Sequence, residues 1–172
     1  MAAKVASGLM SSTAVGSFTY DSSTSPAMAV GSTVFDVASL TKVTATTSAV
    51  GILYQEGFLT LDSLVSTLIE DPDFNGPNGT KAAVTVEHCL THTAGFPPAP
   101  TPWSWNSSFG CPVPDPPSNP PAEEFDCLPI IYQSLLDQPL QSTPGSEYAY
   151  SDLSFISLQM VVGAVTLKHS LV

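Results

Sequence analysis

Apolar residues recur at helical spacing from Ser39 to Glu56. Leu40, Val43, Val50, Ile52, Leu53 and Tyr54 supply them, and Gly57 offers a C-cap. Asp62 is a candidate N-cap for a short helix through Ile69, and Thr85 for another through Leu90. Residues 128–138 are again helical in pattern, Thr143-Pro-Gly145 makes a turn, and Tyr148 to Leu167 predicts a short connection followed by a long apolar helix. Near the start, residues 14–20 and 33–36 have β character through Val15, Phe18, Tyr20, Val34 and Phe35, with a Ser/Pro/Gly-rich link between them. Asp71 to Gly79 reads as a turn-rich loop.

Between these elements the pattern collapses. Ten of the 16 prolines lie from Pro97 to Pro121, which forbids helix or central strand there. Residues 96–128 therefore form a lid or an insert, with a solvent-exposed spacer as the plainer alternative. Trp103, Trp105 and Phe109 lie within it, either lining a pocket or packing under the loop.

Composition narrows the classes. Hydrophobic residues make up 43% of the 172 and charged residues 11%, so most of the chain can bury a core. Net charge is −11, with Lys4, Lys42, Lys81 and Lys168 as the sole Lys or Arg residues. Four scattered lysines build no phosphate-binding face, which argues against nucleic acid and against an anionic membrane surface. The N-terminal residues make a poor secretory signal, and Leu153 to Leu167 is too short to span a bilayer; the compartment is left open. Cys89 sits in an apolar stretch as a small buried hydrophobe, while Cys111 and Cys127 either pair across one loop or stay free.

The chemistry centres on Ser39 and Lys42, three apart and so on one helical face. Serine needs a base to become a nucleophile, and a lysine with a lowered pKa can serve; burial and a helix N-terminus both push that way. With 23 serines and 4 lysines, about half a Ser-x-x-Lys match is expected by chance, so the pair alone equally suits a simple N-cap and a solvated lysine. The apolar neighbours Val37, Ala38 and Leu40 favour a packed setting. His88 and His92 stand four apart, but no Glu follows as in a His-Glu-x-x-His site, so metal use is not expected.

Phe35-Asp-Val-Ala-Ser-Leu-Thr-Lys42 resembles the nucleophile segment of the class C β-lactamase and penicillin-binding-protein superfamily of serine hydrolases. Thr85-Val-Glu-His-Cys-Leu-Thr-His-Thr-Ala-Gly-Phe-Pro97 is similar to that family's helix-then-loop segment, and Pro144-Gly-Ser-Glu-Tyr-Ala-Tyr-Ser-Asp152 to its Tyr-x-Asn motif. The three stand in family order over roughly residues 30–165. The resemblance implies an α/β fold, an α+β sandwich with an all-helical subdomain, over residues 1–172. It also implies Ser39 as the acylated nucleophile, Lys42 and Tyr150 as the groups that move its proton, and no cofactor. The substrate implied is a small ester, amide, β-lactam or peptide. It gives His92 a structural part, with its side chain tied to backbone.

Two departures follow from the comparison. Asp152 occupies the usual Asn place as a substrate-binding residue; an ionised Asp accepts hydrogen bonds without donating, and it is placed to hold Lys42 charged. That leans toward ester or peptide cleavage over classical penicillin hydrolysis. No Lys-Thr-Gly or His-x-Gly strand follows Asp152. The expectation is an incomplete, helix-dominated domain with most of its sheet missing, and a serine hydrolase crippled by truncation or, alternatively, a non-catalytic interaction module.

Overall fold

A computed structural model of the chain describes residues 13–21, 23, 27–29, 31–76, 79–99 and 128–169. It divides into two units, one up to Ala38 and one from Ser39 onward. The expected strands at 14–20 and 33–36 do not form among the described residues. The first unit has a single antiparallel bridge, Ser17 to Ala27, with Met28 N–H donating to the Gly16 carbonyl at 3.0 Å. Val15, Tyr20 and Val34 are exposed, so these β-prone side chains have no apolar face to pack on, and without it propensity alone does not make a strand. Its last residue, Ala38, has φ +44°, with the Asp36 carboxylate accepting its N–H at 2.7 Å.

The second unit is helical. A π-wound stretch, Lys42–Thr47, runs into α1, Ser48–Gln55. The sequence suggested one α-helix here. The wider winding comes with side-chain bonds to backbone carbonyls: Thr47 Oγ1 donates to the Lys42 carbonyl at 3.0 Å, and Thr44 Oγ1 to that of Leu40 at 2.9 Å. Gly57, at φ +77°, ends α1 as expected. Phe58 N–H returns to the Leu53 carbonyl and Gly57 N–H to that of Tyr54, which satisfies two of the orphan acceptors.

Helix α2, Val65–Ile69, starts later than Asp62 would set it. Ser63 Oγ takes the Thr60 N–H, Leu64 is extended and bridges Thr85, and Val65 N–H goes to the Val84 carbonyl. This local pairing displaces Asp62 from the capping role. A 3₁₀ turn follows at Pro72–Asn75, capped by Asp71. Helix α3, Val86–Leu90, has the cap the sequence indicates. Thr85 Oγ1 accepts the His88 N–H, and His88 Nδ1 accepts the Thr85 N–H in return. Helix α4 spans Leu128–Asp137.

Helix α5, Asp152–Lys168, is the central element and packs against the π-wound stretch and α1–α4. Leu153, Phe155, Leu158, Val161 and Val165 are buried along its length, facing Val50, Leu53, Val65, Phe74, Val86 and Leu135 in one core. A helix apolar on so many sides belongs inside a domain. Cys89 lies in this core and burial pushes its thiol far up, so it is an inert hydrophobe. Lys81, 1% exposed, donates from Nζ to the Leu135 and Leu136 carbonyls and so caps the end of α4. No helix among the described residues is long and apolar enough to cross a membrane. Trp103, Trp105, Phe109, Cys111, Cys127 and nearly all of the Pro-rich stretch lie outside the described residues.

Candidate active site

Four side chains named from the sequence, Ser39, Lys42, Tyr150 and Asp152, meet in the second unit. Lys42 Nζ stands 3.1 Å from Ser39 Oγ, the outcome expected of residues one helical turn apart. Tyr150 reaches the same oxygen from 111 residues away, its hydroxyl donating to Ser39 Oγ at 2.7 Å. Asp152 Oδ1 lies 2.7 Å from Lys42 Nζ. The ammonium also sits 5.2 Å from the centroid of the Tyr150 ring, inside cation–π range.

What brings Tyr150 and Asp152 to Ser39 is a pair of chain segments laced together. The segment leading into α5 donates backbone bonds to the loop after α3: Gln141 N–H to the Gly95 carbonyl, Gly145 N–H to Thr93, Ala149 N–H to His92 and Asp152 N–H to Pro98, at 2.7–2.9 Å. Gly95 makes the close approach possible. A Cβ there would stand 2.2 Å from the Ser142 carbonyl oxygen, and its φ is +86°. Ser151, between the two site residues, is fully buried. Its Oγ donates to the Pro97 carbonyl at 2.7 Å and accepts the Ser154 N–H, so it caps α5 and pins it to the loop. Sequence reasoning missed Ser151, although a serine three residues before Ser154 at a helix start is a readable cap signal.

His92 is the hub of this arrangement. Its backbone is left-handed at φ +57°, its Nδ1 accepts the Ser151 N–H at 3.1 Å, and its ring lies tilted against those of Tyr150 and Phe155, with centroids 4.5 and 5.1 Å away. A ring accepting through Nδ1 carries its proton on Nε2. Burial first, and then the positive charge of Lys42, lower its pKa below the ordinary 6.5, against the pull of Asp152. The contribution of the neutral ring to stability is therefore complete above pH 6.5 and is lost as pH falls from there through the lower folded value. Replacing His92 with Asn, which tolerates the left-handed backbone and does not titrate, should flatten the fall of Tm as pH drops below 6.5. An unchanged slope in thermal melts would show that His92 does not stay neutral. His88 is occupied elsewhere in the Thr85 cap, so the two histidines serve backbone groups in different places. Among the described residues no three His, Cys, Asp or Glu side chains are grouped to hold a metal ion.

The electrostatics divide the two proton-moving candidates. Partial burial pulls Lys42 down, but Asp152, by hydrogen bond and charge, and Tyr150 outweigh it and hold the ammonium above 10.5. The Asp152 contact thus overrides the lowering that burial and a helix end would give. Tyr150 moves the other way. The Lys42 hydrogen bond foremost, then that of Ser39, bring its phenol below the ordinary 10, against desolvation. The arrangement can thus hold a cation beside a phenol while both touch one serine oxygen.

Curated relatives cover most of the chain. Proteins named "Putative D-alanyl-D-alanine carboxypeptidase" from Salmonella agona (strain SL483), Salmonella schwarzengrund (strain CVM19633) and Salmonella newport (strain SL254) are each 30% identical over 155 residues, 86% of this chain and 32% of the relative. The chain thus spans about a third of the length of the curated relatives it matches. The family model described as Beta-lactamase matches residues 13–171. That match assigns a β-lactamase/transpeptidase-like fold, of which the described part is helix-rich, and the chain belongs to the beta-lactamase family of serine hydrolases.

Proposed function

We propose that the chain carries the nucleophilic half of an acyl-transfer site, with Ser39 as nucleophile and Tyr150 as its base. The observation that supports this most is the convergence of Lys42 Nζ and Tyr150 Oη on Ser39 Oγ, at 3.1 and 2.7 Å. In the working form Tyr150 is ionised and takes the Ser39 proton as Oγ adds to a carbonyl carbon. Lys42 stays protonated, held by Asp152, and stabilises the phenolate. The leaving group departs with a proton returned by Tyr150, and water removes the acyl group by the same steps in reverse order. The substrate class is an ester or amide, in keeping with the carboxypeptidase name of the relatives.

We also propose that a second oxyanion donor completes the site; one such donor is worth about 10²–10³ in rate. A second reading, an interaction module without turnover, draws on the exposure of Ser39 and Tyr150 beside exposed Leu40 and Val43. Incubation with an uncharged fluorophosphonate and peptide mapping by mass spectrometry separates the two. We expect one adduct per chain, on Ser39, absent from Ser39→Ala. Adducts that persist in the Ala variant, or none at all, would reject the nucleophile.

A further inference from the structure

We propose that the Lys42–Asp152 pair makes this site select by charge, favouring cationic and neutral acyl groups and rejecting carboxylates. This rests on the reading of Ser39 as nucleophile. The nearest cation to Ser39 Oγ is Lys42, and it is already spent. Its amine meets the Asp152 carboxylate at 2.7 Å, so the pair is neutral at rest. Once Tyr150 ionises, the sum of Lys42, Asp152 and Tyr150 becomes −1, with His92 neutral beside them.

No other described lysine can compensate. Lys81 is buried against the Leu135 and Leu136 carbonyls, and Lys168 pairs with Glu70. The chain has no arginine, and its net charge of −11 adds a field of the same sign. An acyl group bearing a carboxylate would thus approach an uncompensated negative site. A carboxylate at position 152 also accepts without donating, so the substrate group it can hold is an N–H, best a cationic one. The Asp152 side chain is 38% exposed, so water screens the effect, and one unit of charge should change rates about five- to tenfold.

The test uses three 4-nitrophenyl esters of similar length: hexanoate, the adipate monoester and 6-(trimethylammonio)hexanoate, in which the carboxylate stands too far along the chain to attack its own ester efficiently. In each, Ser39 Oγ bonds to the carbonyl carbon and 4-nitrophenolate leaves, while the serine proton passes to Tyr150. The acylation rate constant is read by intact mass on the full chain and divided by the rate of that ester with free imidazole. We expect the adipate to react about five- to tenfold more slowly than the hexanoate, and the cationic ester at least as fast as the hexanoate. Asp152→Asn should remove or reverse the gap. Added salt should narrow it in the unmodified chain while leaving the hexanoate unchanged, a control independent of any variant. Equal normalised rates for adipate and hexanoate, or a gap that Asp152→Asn and salt leave intact, would overturn the proposal. In those cases fluorophosphonate labelling of Ser39 still stands. If no ester acylates Ser39 and no fluorophosphonate phosphonylates it, both readings fall.

Discussion

Tyr150→Phe should slow acylation of Ser39 by about 10²–10⁴, the usual worth of a positioned base. The variant keeps the ring that packs against His92 and lies beside Lys42, and removes the phenolic oxygen that touches Ser39 Oγ at 2.7 Å. Stability should therefore change little while reactivity collapses, which separates a chemical loss from misfolding. The pH profile gives the sign. In the unmodified chain acylation should rise with pH to a midpoint below 10, because Lys42 stabilises the phenolate. Lys42→Met should move that midpoint upward. If Lys42 were the base, the limb would instead lie above 10.5, where Asp152 holds its ammonium. Stopped-flow labelling across pH 6–11 decides between them. A Tyr150→Phe rate within threefold of the parent would remove Tyr150 from the mechanism.

Gly95→Ala should destabilise the second unit by about 3–4 kcal/mol, lowering Tm by roughly 10 °C. The added Cβ meets main chain, 2.2 Å from the Ser142 oxygen and 3.1 Å from its carbon, and the residue must hold φ +86°. Neither side can yield cheaply, because Gly95 also accepts the Gln141 N–H at 2.7 Å and so ties the two segments where they touch. Gly163→Ala is the control. It lies inside α5 with open space at its Cβ, and should stabilise by about 0.5–1 kcal/mol. Differential scanning calorimetry of both variants checks the contrast. A Gly95→Ala protein that melts with the parent would mean the loop and the segment before α5 are not held this closely.

Local signals in the sequence carried much of this fold. Thr85, Gly57 and the apolar run after Asp152 placed α3, the end of α1 and α5, because caps and periodicity act within a few residues. Asp62 misled, since a competing pairing of Ser63 and Leu64 settles that helix start. The π winding after Ser39 was not legible: hydroxyl bonds to carbonyls four and five residues back do not alter the apolar period enough to see. Strand propensity at Val15 to Tyr20 and at Val34 failed because pairing needs a partner surface, which no local window reports. In the site, Ser39, Lys42, Tyr150 and Asp152 came from the family resemblance, and the approach of Tyr150 to Ser39 and of Asp152 to Lys42 is a long-range event. The direction of the Lys42 shift turned on the distance to Asp152, which spacing along the chain does not encode. The burial of Lys81 was not legible either, because it depends on α4, some 50 residues on.

That buried lysine gives the molecule a built-in gauge. With no arginine in the chain, trypsin has only four places to cut, after Lys4, Lys42, Lys81 and Lys168. The bond after Lys81 is shielded for as long as its amine stays plugged into the end of α4. Amine acylation and tryptic cleavage at Lys81 both await the same opening. The rate of either, set against exposed Lys168, counts how often the helical core breathes, without any mutation.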